Sequence, residues 1–362
     1  MSDIPVSTPA AVAGGRRLDP DAALQLARQN DLQRLGALAA RANQQRNGDR
    51  VLFNRNRHIN YTNLCVHACR FCAFRRDAGQ EGAFCLTPKE VGMRAAEAAA
   101  AGAREVHLVG GLHPRRAFDY YLDLLRSIRQ AAPKIHIKAY TAVEVDYLAR
   151  LSGLALPDLL AKLRRAGLDS LPGGGAEIFA PAVRQRLCPE KISGRRWLEV
   201  MEAAHAAGLS STATMLFGHL ESWADRIDHL RQLRQLQDRT GGFKAFVALP
   251  YQPANTRLPG LRGPGGVEIL KTLAVSRLFL DNFDHIKGYW VMLGVALAQV
   301  SLAFGVNDLD GTVTEERIGH AAGAGSPQVL SCGDLCRLIR SAGKVPVERD
   351  SLYRLVREQG SC

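Results

Sequence analysis

The chain has 362 residues, with 47 Lys and Arg against 35 Asp and Glu for a formal net charge of +12, and it is 46% hydrophobic and 23% charged. At about 150 residues per domain this length allows two domains or one large barrel, and the composition excludes fibrous and disordered classes. Eight cysteines are too sparse for the disulfide framework of a small secreted domain, yet Cys65, Cys69 and Cys72 fall within eight residues.

Met1 to Arg17 lacks an apolar run of signal-peptide length, which predicts a frayed start in a reducing cytoplasm. Leu24, Leu26, Leu32, Leu35 and Leu38 recur at near-helical spacing, so residues 1–50 read as a tail and cap helices. Strand candidates then follow at Ile59–Asn63, Glu105–Val109, Ile135–Tyr140, Asp169–Leu171, Ser211–Leu216 and Ala245–Leu249, with weaker ones at Ile286–Trp290 and Ser301–Phe304. Helices fit the gaps. Thr87-Pro88-Lys89-Glu90 supplies an N-cap, a first-turn proline and a first-turn acid for a helix that Gly102 stops.

About eight alternations of strand and helix require a parallel sheet, because each parallel crossover consumes a helix. The expected fold is therefore α/β, a TIM-type barrel over residues 51–305, with N-terminal cap helices and a C-terminal helical extension, 306–362, packing on it. Gly288 to Asn307 carries no charged side chain and predicts a buried helix rather than a membrane span. Arginines are spread along the chain, as at Arg115-Arg116, Arg164-Arg165 and Arg195-Arg196, without a long basic run. Such charge reads as solvated helix faces plus attraction to an anionic substrate, so no nucleic-acid or membrane partner is expected.

In a barrel the loops at the carboxyl ends of the strands build the active site. Those loops here carry Cys65–Cys72, Gly110-Gly111, Glu144, Gly173–Glu177, Phe217–Glu221 and Pro250–Pro253. Three cysteines suit a 4Fe-4S cluster with one iron left open; zinc held by the three thiolates and His67 is the competing reading. The spacing Cys65-x-x-x-Cys69-x-x-Cys72, with Phe71 before the last cysteine, resembles the signature of radical S-adenosylmethionine (SAM) enzymes. That resemblance implies that Cys65, Cys69 and Cys72 hold the cluster, that Phe71 lies beside the adenine, and that SAM is a cosubstrate. It further implies that Gly110 and Gly111 meet the methionine amino group. Glu144 is placed to accept from the ribose hydroxyls, or else is a solvated loop acid.

Leu171–Ile178, Ala213–Glu221 and Phe304–Glu316 resemble the menaquinone and deazaflavin biosynthesis group of that superfamily, over roughly Asn54 to Tyr353. Within the group, Asn307–Thr312, Asp281–Lys287 and Pro346–Tyr353 are most similar to the aminofutalosine synthase branch. The cyclic dehypoxanthinylfutalosine synthase and the deazaflavin synthase subunit stand as alternatives, and an RNA-modifying radical enzyme as a more distant one. The first branch implies addition of the 5'-deoxyadenosyl radical to 3-[(1-carboxyvinyl)oxy]benzoate, with an external one-electron reductant of flavodoxin or ferredoxin type. A dianionic small-molecule substrate calls for cationic donors, for which Arg offers a bidentate fork. His219, Asn307 and Asp308 are the candidate catalytic residues. His219 reads equally as part of a structural hydrogen-bond network, and the acids near Asp310 as helix caps.

Overall fold

A computed structural model describes residues 17–358; the expected frayed start, apart from Arg17, and Cys362 lie outside them. Two helices, Pro20–Arg28 and Leu32–Asn47, open the described chain, capped by the side chains of Asp19 and Asp31. The second packs against the long helix Gly266–Phe279.

The next nine strands form the barrel: β1 (Arg50–Asn54), β2 (Asn56–Asn60), β3 (Glu105–Val109), β4 (His136–Ala139), β5 (Ser170–Leu171), β6 (Ser210–Phe217), β7 (Phe243–Pro250), β8 (His285–Lys287) and β9 (Asp308–Gly311). β1 and β2 are one strand bent at Arg55, and that bend closes the ring. β2 pairs with β3, β1 pairs with β9, and Arg57 bridges Thr314, every pairing from β2 round to β9 and β1 being parallel. The closing hydrogen bonds include Leu52 N–H to the Asn307 carbonyl at 2.8 Å and His58 N–H to the Thr314 carbonyl at 2.9 Å.

The helices sit where the alternation predicted. Helix Pro88–Ala100 starts in a capping box formed by Thr87 and Glu90, and Gly102, at φ 82°, turns the chain away. The C-terminal segment holds the helix Cys332–Ser341 and adds β10 (Val345–Arg349), parallel to β1, and β11 (Leu355–Glu358), antiparallel to β10.

Three expectations differ from the structure. The uncharged run Gly288–Asn307 is not one helix but three short pieces, 290–293, 295–300 and 301–304, because Gly294 at φ 77° and ψ 149° leaves the helical region. Ser301–Phe304 is a 3₁₀ turn rather than a strand, and the last barrel strand is β9, beyond residue 305. The first strand begins at Arg50, well before Ile59. β9 is polar because its acids are paired inside the fold, Asp308 with Arg349 and Asp310 with Lys287, whereas β1 holds the apolar run Val51–Phe53 and is separated from the expected strand by the polar stretch Asn54–His58. Among the described residues no helix is long and apolar enough to cross a membrane.

Candidate functional site

Sequence places the cysteine loop directly after β2, and backbone hydrogen bonds pin it from three sides. Val66 N–H donates to the Leu112 carbonyl at 3.0 Å, Arg70 N–H to that of Leu187 at 3.0 Å, and Arg257 N–H to that of Arg70 at 2.7 Å. The Arg75 guanidinium donates to the Cys65 carbonyl at 3.1 Å. Cys65, Cys69 and Cys72 thereby line one cavity of about 340 Å³ together with Phe71, Gly110, Gly111 and Glu144. Every residue expected to hold the cluster or SAM is brought together here.

The two glycines are explained by close approach. A Cβ on Gly111 would lie 2.3 Å from the Leu64 carbonyl oxygen and 3.0 Å from the Cys65 Cβ, and one on Gly110 would lie 2.9 Å from the Thr62 carbonyl oxygen. Only glycine lets the end of β3 lie against the root of the cysteine loop.

Glu144 is buried rather than solvated. Its Oε1 accepts from the Tyr61 hydroxyl at 2.8 Å and Gly110 N–H at 3.1 Å, and its Oε2 from Thr141 N–H at 2.7 Å and the Thr141 hydroxyl at 2.8 Å. Burial pushes its pKa up, against the pull of those donors. The carboxylate thus ties the Gly110 turn to the helix Ala142–Ser152, whose capping box it completes.

Burial sets the thiols against ionising, and nearby donors pull the other way. Burial raises Cys65 and pushes Cys69 up to about 12, while the amides of Leu112 and His67 bear on Cys65 and the Lys191 ammonium on both in the opposite sense. Lys191 lies 5.0 Å over the Phe71 ring and pairs with Glu177. A metal cluster deprotonates its ligating thiols outright, and hydrogen bonds to the sulfurs tune its potential. Among the described residues no three His, Cys, Asp or Glu side chains converge to hold a single ion, as a zinc site with His67 requires. A cubane instead takes its three thiolates at three separate irons.

The expected catalytic trio does not reach this cavity. His219 folds back into its own loop: Nε2 meets the Leu216 carbonyl at 3.0 Å, and Nδ1 lies 2.8 Å from Glu221 Oε2. Its side chain is fully buried. Asn307 sits at the opposite end of the barrel, accepting from Arg277 at 2.7 Å and facing His285 at 2.9 Å. Asp308 accepts from Arg349 at 2.8 Å. Of that stretch Asp310 lines the cavity, paired with Lys287. Among the described residues the expected arginine fork is not part of the cavity lining; Arg75, the arginine there, is held by Asp77.

In their place come Lys138, Lys191, Lys287, His58, His107 and Tyr289. The sequence signal was a basic residue in mid-strand, as Lys138 between Ile137 and Ala139 or His107 between Val106 and Leu108. Backbone strain marks the same rim: Glu177 and Asp310, which line the cavity, and the β-branched Val313 have positive φ of 47°, 65° and 46°.

Comparison with known proteins decides the family. Residues 59–233 match the Radical SAM superfamily and residues 240–360 the CofH/MqnC C-terminal region. The chain is 45% identical over 350 residues to aminodeoxyfutalosine synthase of Thermus thermophilus, covering 96% of this chain and 94% of that protein. It belongs to the radical SAM superfamily. It is also 47% identical over 315 residues to the 5-amino-6-(D-ribitylamino)uracil–L-tyrosine 4-hydroxyphenyl transferase of Methanopyrus kandleri, covering 86% and 85% of the two chains. Crystalline methylornithine synthase shares the fold, with a TM-score of 0.75 at 18% identity over 94% of this chain and 97% of that one.

As a radical SAM enzyme the chain uses a 4Fe-4S cluster and SAM, takes its electron from an external reductant and acts on a small molecule. The chemistry of the lining suits both groups: Cys65, Cys69 and Cys72 would hold the cluster, and the backbone of Gly110 and Gly111, with Phe71, would face SAM.

Proposed function

We propose that this radical SAM enzyme is an aminodeoxyfutalosine synthase acting on 3-[(1-carboxyvinyl)oxy]benzoate. The observation that carries the reading is the cavity itself, whose apolar walls of Val109, Leu216, Val247, Leu249 and Met292 adjoin the nitrogen-bearing side chains Lys138, Lys287, His58 and His107. A small aromatic dianion needs both parts: apolar surface against its ring, and positive or N–H groups against its carboxylates. The near full-length similarity to the Thermus enzyme supports it.

With Cys65, Cys69 and Cys72 holding the cluster, the cluster and SAM would supply 5'-deoxyadenosyl radical chemistry for addition to the enolpyruvyl double bond. The chain's own residues hold the substrate, and the enclosing walls keep water from the reacting carbon. The second reading, transfer of a tyrosine-derived hydroxyphenyl group to 5-amino-6-(D-ribitylamino)uracil, is favoured by the 47% identity to the Methanopyrus enzyme.

Anaerobic reconstitution followed by parallel incubations separates the two. SAM, reductant and the enolpyruvyl benzoate are expected to give an adenosylated, decarboxylated product by mass. Free 5'-deoxyadenosine alone from that mixture, with a new product from tyrosine and the diaminouracil, would replace the first reading by the second.

A further inference from the structure

The cavity floor is crossed by three strands in register: His58 on β2 stands beside His107 on β3, which stands beside Lys138 on β4. Adjacent strands lie about 4.8 Å apart, and all three residues line the cavity, so they form one row below the cysteine loop. The two imidazoles touch, with ring centroids 4.4 Å apart.

Around this pair the charged groups are already engaged. Lys138 donates to Glu105 at 2.8 Å and Lys287 to Asp310, while Glu316 accepts from the amides of Ile318 and Gly319 at 2.8 and 2.9 Å and pairs with His320. The imidazoles are not engaged. Among the described residues no protein group hydrogen-bonds to either ring, and His58 Nε2 is buried without a partner, its residue only 5% exposed. Other enclosed histidines each have a protein partner: His205 sits between Thr240 and Ser211 at 2.7 Å each, His229 meets the Thr214 carbonyl at 2.9 Å while its Nδ1 has none, and His285 meets Asn307. A buried polar group left unpaired costs about 1–3 kcal/mol, and here the unpaired His58 ring lies against the half-buried His107, both facing one cavity.

We propose that His58 and His107 are the seat of a substrate carboxylate, a subsite that rests on the reading of the substrate as a small aromatic acid. Each neutral imidazole offers one N–H, so two adjacent rings can donate one hydrogen bond to each oxygen of a carboxylate. Lys138, one strand further on, stays paired with Glu105, which leaves the two imidazoles as the donors that are free to take the carboxylate. Because the row lies in mid-strand, below the strand ends from which the cysteine loop springs, an acid held there points its other end toward Cys65 and Phe71.

Benzoate and benzamide have the same shape and differ in charge, so calorimetric titration of both into the reconstituted protein tests the seat directly. Wild type is expected to bind benzoate about tenfold more tightly than benzamide, as charge-assisted bonds to a carboxylate imply. His58→Phe and His107→Phe are expected to abolish that preference while iron content and SAM binding stay unchanged. His58→Gln, which keeps an amide donor, retains part of it and covers the case in which a Phe variant misfolds. No preference in wild type, no binding of either probe, or a preference that survives in the variants overturns the seat. If the preference depends on these histidines but the enolpyruvyl benzoate yields no adenosylated product, the seat stands and the proposed reaction falls.

Discussion

The two ends of this barrel hold similar side chains put to opposite uses. At the lower end Asn307 accepts from Arg277 and from Ile286 N–H, Asp308 accepts from Arg349, and the Arg349 guanidinium covers the Tyr353 ring at 4.1 Å. These groups close on one another. At the upper end the cysteines, His58 and His107 face a cavity, and the polar groups that are tied, such as Glu144, hold up the loops around it. Buried polarity alone therefore does not mark a site, and neither does one unpaired atom, since the Tyr353 hydroxyl at the lower end is also buried without a partner; what sets the upper end apart is that the unpaired His58 ring lies against His107 with both facing one cavity.

The largest effect expected at the upper end is loss of the cluster. Cys65→Ala, Cys69→Ala and Cys72→Ala should each abolish activity and reduce reconstituted iron from about four per chain toward zero. Cys188→Ala, although buried beside Cys69 in the same apolar patch, should keep its iron. Iron retention by all three variants would break the assignment. At the lower end Arg349→Met should instead destabilise the fold by about 3–5 kcal/mol, the cost of leaving a buried carboxylate without its ion-pair partner. Denaturant unfolding measures that loss, and iron content per folded chain should be unchanged. A stable Arg349→Met variant without iron would show that the two ends are coupled.

How far the sequence went follows the same division. The cysteine spacing, Phe71, Gly110, Gly111 and Glu144 were legible because each is a local pattern in a loop or turn just after a strand, and all line the cavity. β9 was not legible: Asp308-Leu309-Asp310-Gly311 is a poor strand by propensity and holds as one because Arg349 and Lys287 neutralise its acids from elsewhere in the chain. The row of His58, His107 and Lys138 is likewise assembled by register across three strands, with nothing in one segment to announce the others. His219 misled for the opposite reason. It follows a strand and neighbours a glycine and an acid, yet no spacing reveals that its ring turns back three residues to the Leu216 carbonyl.

That loop supplies the smallest of these effects and the sharpest check on which histidines are functional. Glu221 accepts from Gly218 N–H at 2.6 Å, His219 N–H at 3.0 Å and Arg226 at 2.7 Å. Burial raises its pKa, but these donors and the His219 ring outweigh burial and hold it down at about 2 against an ordinary 4.5. A carboxylate whose pKa is lower in the folded state stabilises the fold fully above its unfolded value and loses that contribution as pH falls. Stability should thus decline between about pH 5 and pH 2, by roughly 3 kcal/mol at most from this group, and Glu221→Gln should flatten that part of the acid-unfolding curve. His219→Gln should cost about 1–3 kcal/mol, the range for a buried hydrogen bond left half-made, while the folded variant keeps the wild-type kcat. A drop in kcat of a hundredfold or more, the usual loss when a general acid or base is removed, with stability intact, would put His219 back among the catalytic residues and reverse the contrast with His58 and His107.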